Sequence, residues 1–103
     1  MYLLNRNSLH KLLRCSGTSV HVRLQTQNQL WSWYIISARY LPESNDYELY
    51  CLIDGDYTEL GTVWLGELEE ISSSSLGMSI KRDEEWIPKP LDEVMSSLGK
   101  RCA

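Results

Sequence analysis

Apolar and polar positions alternate with a period of two through much of the chain, then switch to helical spacing. In Thr18–Gln25, Val20, Val22 and Leu24 alternate with His21, Arg23 and Gln25, which predicts a half-buried strand with a polar outer face. Leu30–Tyr40, LWSWYIISARY, predicts a second, longer strand. Simple alternation puts Trp31, Trp33 and Ile35 on one face and Tyr34, Ile36, Ala38 and Tyr40 on the other. Both faces are apolar, so this strand is expected at the centre of a sheet. The short polar turn Gln27–Gln29 makes the two strands an antiparallel hairpin.

Leu41–Asp46 has loop composition. Tyr47–Asp54 predicts a third strand, Asp54-Gly55-Asp56 a turn, and Tyr57 or Glu59 to Trp64 a fourth strand. At Leu65 the period changes: Leu65, Leu68 and Ile71 are separated by acids, the spacing of a short helix over 65–71. A polar loop follows at Ser72–Ser75. Met78, Ile80 and Arg82 alternate with Ser79 and Lys81, so a fifth, edge-like strand is expected. Trp86–Pro90 reads as extended, because each proline restricts the residue before it. Pro90 can open a last helix over 90–98, with Asp92 and Glu93 near its positive end and Leu91, Val94, Met95 and Leu98 on its apolar face. At the other terminus, residues 1–15 predict a helix with Ser8 or Asn7 as cap, a stripe of Leu9, Leu12 and Leu13, and a stop at Cys15-Ser16-Gly17.

These elements predict one α+β domain over residues 1–103, with the antiparallel sheet in 18–64. It has four or five strands, mostly antiparallel, with helices packed on one face. No internal repeat is visible.

Charge adds an asymmetry to this picture. The net charge is −4, yet Met1–Leu41 contains no acid and carries Arg6, Lys11, Arg14, Arg23 and Arg39, a sum of +5. Pro42–Ala103 carries all 14 acids against five bases, a sum of −9. Either two faces serve different partners, or the halves neutralise each other. The net sign disfavours direct nucleic-acid binding, which needs clustered cations. Cys15, Cys51 and Cys102 form no C-x-x-C pair, which disfavours a zinc or dithiol site and suits a reducing, cytoplasmic setting. Cys51, mid-strand, is expected as a small core residue. Met1–Arg14 lacks the pattern of a secretory leader, and no apolar run is long enough to span a bilayer. The aromatic set, four Trp and six Tyr with no Phe, suits half-buried positions and interfaces.

Several short motifs, in order, carry a resemblance: Trp33-Tyr34-Ile35, then Leu52-Ile53-Asp54-Gly55-Asp56-Tyr57, Glu59-Leu60-Gly61, Leu65-Gly66-Glu67-Leu68, and Trp86-Ile87-Pro88-Lys89-Pro90-Leu91. Over Trp33–Val94 the chain resembles a family of small proteins of unassigned function encoded on bacterial plasmids, conjugative elements and phages. It departs from that pattern at Asp54, where the family usually has Asn, and its N-terminal helix is unmatched. The resemblance brings no catalytic residues. It implies an accessory gene of a mobile element, a setting in which small proteins that block host defences are common.

Three candidate sites follow. Asp54, Asp56 and Glu59 could hold a divalent cation and activate water, as in a metal-dependent hydrolase or nuclease, although Asp-Gly-Asp is first of all a turn. An EF-hand is excluded, because its required Gly and Glu positions fall on Glu59 and Leu65. Arg23, Arg39, Trp31 and Tyr34 could form a basic aromatic platform for single-stranded nucleic acid. Asp54, Asp56, Glu59, Glu67, Glu69, Glu70, Asp83, Glu84 and Glu85 could form an acidic face that enters a basic groove on a partner. His10 and His21 are expected as surface residues. The expected function is that of a non-enzymatic inhibitor, of the anti-CRISPR or anti-restriction kind. It would bind a host defence protein with a basic nucleic-acid-binding surface, without a cofactor, metal or membrane. The contacts are expected from Asp54, Asp56, Tyr57, Glu59, Glu67, Glu69 and Glu70, with Trp64 and Trp86 as anchors. The sequence leaves the oligomeric state open.

Overall fold

The computed structural model describes residues 3–14, 17–73 and 79–98. Their elements are α1 (Arg6–Leu13), β1 (Ser19–Val20), β2 (Val22–Thr26), β3 (Ser32–Leu41), β4 (Asp46–Asp54), β5 (Thr58–Trp64), α2 (Leu65–Ser73), β6 (Ile80–Arg82), β7 (Lys89–Pro90) and α3 (Leu91–Leu98). The main sheet has the order β5-β4-β3-β2-β6, and every pairing in it is antiparallel. β1 and β7 form a separate two-stranded ribbon. This is the α+β domain that the alternation predicts, with the fifth strand at an edge.

The sheet is covered on both sides. On one side Val22, Leu24, Trp33, Ile35, Leu49 and Cys51 pack with Leu9 and Leu12 of α1, Leu65 and Leu68 of α2, and Ile80. On the other, Tyr34, Ile36 and Leu52 pack with Val20 and with Val94 of α3, flanked by Trp86, Leu91, Met95 and Leu98. The single-faced covering expected from the sequence therefore applies to α1 and α2. The third helix takes the opposite face because Trp86 anchors the segment before it there. The Trp86 indole donates from Nε1 to the Val20 carbonyl at 3.1 Å, and its ring lies 5.5 Å from that of Tyr34.

Three local corrections bear on the candidate sites. The register of β3 against β4 shifts between Ile35 and Ser37. Ile36 is the extra residue of a bulge, and a bulge inverts the facing of everything beyond it. Ala38, opposite Leu49, thus joins the α1–α2 face, and so does Tyr40, opposite Tyr47. Arg39 moves to the α3 face and pairs with Glu48 at 2.8 Å. The N-cap of α1 is Asn5, not Ser8 or Asn7: its Oδ1 accepts the Ser8 N–H at 2.8 Å. Leu3 and Leu4, ahead of the helix, are buried, whereas Leu13 stays exposed. Finally, the strand expected over 18–25 breaks at His21 into β1 and β2. The expected stop at Cys15-Ser16, the Met78 position and the stop at Gly99 lie outside the described residues.

No helix among the described residues is long and apolar enough to cross a membrane.

Candidate partner-binding surface

β4 and β5 are joined by Gly55-Asp56-Tyr57, a tight turn closed by the Gly55 N–H donating to the Tyr57 carbonyl at 3.0 Å. Gly55 is required by close approach as well as by the turn. A Cβ there would meet Cζ3 of Trp31 at 2.1 Å, so the Trp31 ring lies directly on the glycine. Trp31 in turn stacks on Trp33 at 6.2 Å. This fixes the turn against the end of the sheet and leaves Tyr57 standing out at 72% exposure beside exposed Asp56.

The three carboxylates of the proposed metal site do not converge. Asp54 is only 5% exposed and accepts from the Thr58 Oγ1 at 3.1 Å, closing the hairpin. Its cross-strand partner is Thr58, whereas Glu59 is opposite Ile53. Successive strand residues face opposite ways, so Asp54 and Glu59 lie on opposite faces of the sheet. Among the described residues no group of three or more His, Cys, Asp or Glu side chains is arranged to hold a metal ion.

The basic aromatic platform is likewise not assembled. Trp31 and Trp33 are on the α1–α2 side. Tyr34 is buried on the other under Trp86, and Arg23 lies over its ring at 5.5 Å. The Arg23 guanidinium donates to Asp83 at 3.2 Å and to the Ser32 hydroxyl at 3.4 Å. Arg39 is held by Glu48.

The nine acids divide by role and by place. Asp54 closes the hairpin. Glu69 accepts the Leu3 N–H at 3.2 Å and ties α2 to the chain before α1. Asp83 binds Arg23, with Glu84 and Glu85 next to it beyond β6. β6 and β5 are the two opposite edges of the sheet, so these last three are apart from the rest. Asp56, Glu59, Glu67 and Glu70 remain, all exposed, on the β5–α2 side. From Tyr40 to Ile80 the sequence contains nine acids and no Lys, Arg or His. The described part of that stretch builds β4, β5 and α2, whose own charged side chains are all acids, although Arg39 of β3 lies against Glu48 of β4 and the Ser72 hydroxyl at the end of α2 is bonded to the Ile80 backbone of β6. Lys11, His21, Arg23, Lys81 and Arg82 belong to α1, β2, β6 and the β1–β2 break, and Arg39 to β3, paired with Glu48.

Of the two expected anchors, Trp86 serves the fold. Its indole N–H is bonded to Val20, its ring packs on Tyr34, and the Lys89 ammonium lies 4.6 Å from its centroid. Trp64 is half-buried, opposite Glu48 and hence on the α3 face, away from Glu59. The exposed apolar groups beside the acids are instead Tyr57, next to Asp56, and Ile71 at 38%, next to Glu70, whereas Leu60 at 44% and Tyr50 at 38% share the face of Trp64. Tyr50 and Leu60 belong to the partly uncovered α3 face of β4 and β5, and only a register assignment would have found them. β5 is also an outer strand, with no described strand on its far side and no proline, lysine or arginine to blunt it.

Cys51 is fully buried, and burial pushes its thiol up to about 12. It is thus a core residue rather than a nucleophile. No family model, no curated protein and no solved structure matches the chain.

Proposed function

We propose that this protein is a non-enzymatic binding protein that presents its β5–α2 side to a basic surface on a protein partner. The observation that carries this reading is the segregation of charge: β5, α2 and the turn before them contain no base, and Asp56, Glu59, Glu67 and Glu70 there are exposed, with exposed Tyr57 in the same turn. Such a surface attracts a cationic patch at long range, while Tyr57 supplies apolar contact once docked. The separation of Asp54 from Glu59 supports binding over metal-dependent hydrolysis. The finer identity of the partner, a host defence protein whose basic groove normally receives nucleic acid, rests on the family resemblance and on the match between an acidic face and such a groove. Inhibition would then be occlusion of the groove, in the cytoplasm.

The test is affinity capture from host extract with the wild-type chain and with Glu59→Lys/Glu67→Lys/Glu70→Lys. A protein held by the first and lost by the second is then assayed for nucleic-acid binding with and without the wild-type chain. Retention of the partner by the charge-reversed variant, or undisturbed nucleic-acid binding, would overturn the reading.

A further inference from the structure

Among the described residues, β5 is the one strand of the main sheet without a buried residue. Leu60 and Thr62 are exposed, and Val63 and Trp64 are only half-buried. The strand pairs with β4, and no described strand lies along its other edge. Helix α2 begins at its end but crosses the sheet, since the Ser72 hydroxyl accepts the Ile80 N–H of β6 at 2.9 Å. The helix thus leads away from the β5 edge. The opposite edge is built differently: β6 has three residues, two of them the exposed bases Lys81 and Arg82. A short strand bearing cations resists further pairing, whereas β5 has seven residues and no cation. Gly61, its middle residue, is not required by its own chain. A Cβ there would meet Ile53 Cδ1 at 3.6 Å, an ordinary contact, whereas Gly55 and Gly66 are pressed by Trp31 and Asp46. A glycine inside a strand often marks the close approach of another backbone.

We propose that β5 pairs antiparallel with β5 of a second copy of this chain, about a twofold axis through Gly61, so that two five-stranded sheets become one. An axis normal to the sheet keeps each face continuous, so residues paired across it share a face. Centred on Gly61, all seven residues find partners: Thr58 with Trp64, Glu59 with Val63, and Leu60 with Thr62 of the other copy. Charge and length choose this register. Centring on Glu59 sets the two Glu59 carboxylates directly opposite, centring on Leu60 sets them diagonal, and like charges so placed repel. Centring on Thr62 leaves Thr58 and Glu59 outside the paired length. With Gly61 on the axis, the two Leu60 side chains lie diagonally across it on the α3 face, and the missing side chain on the other face leaves room for Val63. The outer edges of the dimer are then the two β6 strands, whose bases stop further growth. Seven residues a side is well under the roughly 20–30 of a standard interface, so the dimer is weak and concentration-dependent. The proposal does not depend on the acidic side receiving a partner.

The experiment is sedimentation equilibrium of the whole chain from a few micromolar to about 1 mM. The average mass should rise from 11.9 kDa towards twice that value. Leu60→Lys and Thr62→Lys, both at exposed positions, should each weaken association about tenfold or more, with an unchanged melting transition at low concentration. Cysteine cross-linking reads the register, in a Cys15→Ser/Cys51→Val/Cys102→Ser background that removes the in-chain partner of Gly61. Gly61→Cys then faces its own copy, with Cα atoms about 4.5–5.5 Å apart, inside the range of a disulfide. Glu59→Cys lies four positions from its own copy, roughly 13 Å along the strand. A glutathione redox buffer should link the first variant and leave the second unlinked. A mass that stays at 11.9 kDa throughout, assembly beyond the dimer, undiminished association in either Lys variant, or equal linking of the two Cys variants overturns the proposal.

Discussion

Asp46 caps helix α2 from the first residue of β4: its Oδ1 accepts the Gly66 N–H at 3.1 Å across a separation of 20 residues. The same oxygen accepts the Tyr47 N–H at 2.7 Å. A helix start leaves backbone donors unpaired, and a side chain from another element meets one of them here. The approach needs glycine, since a Cβ on Gly66 would meet Asp46 Oδ2 at 2.6 Å. This contact locks α2, and with it Glu67 and Glu70, to the end of β4 and β5.

Asp46→Ala is expected to destabilise the domain by about 1 kcal/mol, the usual worth of a cap. Gly66→Ala should be coupled to it. Alone, the new methyl displaces the Asp46 carboxylate and offsets alanine's higher helix propensity. In the Asp46→Ala background the gain should be seen, by up to about 1 kcal/mol. Urea unfolding of the four proteins of this cycle measures the coupling, and strict additivity would mean that the contact is not made in solution.

Gly55→Ala tests the seat of the exposed turn. The added methyl must move the Trp31 ring, which is itself stacked on Trp33. A loss of about 1–3 kcal/mol is expected, as for overpacking, together with a changed tryptophan fluorescence spectrum. Unchanged stability and fluorescence would place the Trp31 ring elsewhere.

Burial of Cys51 makes stability fall with pH on the alkaline side. Its thiol is raised to about 12 in the folded chain, whereas the unfolded thiol has the ordinary value of 9.0. Below pH 9 both states hold the proton and the group contributes no pH dependence. Between 9 and 12 the unfolded chain alone releases it, so stability should drop by up to about 1.4 kcal/mol per pH unit. The difference in unfolding free energy between wild type and Cys51→Val, followed from pH 8 to 11, isolates this slope from the tyrosines. Parallel curves would contradict it.

The strands are legible from local alternation and β-rich composition: Val22 and Leu24 share one face, as do Leu49 and Cys51, although Val20, in the same sequence period, joins the opposite core across the break at His21. The bulge is not legible. Ile35 and Ile36 are both apolar and both buried, so no change in polarity marks the inversion that carries Arg39 across the sheet. The divided acidic face had the same cause: sequence distance groups Asp54 with Glu59 and Glu70 with Asp83, whereas cross-strand register and edge position separate them. Trp86 looked like an anchor for a partner because its own partners, Val20 and Tyr34, are more than 50 residues away in sequence. The Asn5 cap was hidden by Leu3 and Leu4, which extend the apolar stripe without being helical.

The central claim, that the acidic β5–α2 side receives the partner, is tested most directly by the association rate with the captured protein as a function of salt. Exposed charges act over about 10 Å at 0.1 M salt and affect association more than dissociation. The wild-type rate should fall steeply with added salt. Glu59→Lys/Glu67→Lys/Glu70→Lys should bind slowly at low salt with little salt dependence and an unchanged melting transition. Replacing Arg6, Lys11 and Arg14 should leave the wild-type rate in place. Loss of binding in the basic triple variant, with the acidic one unaffected, would contradict the account and move the interface to the opposite side of the molecule.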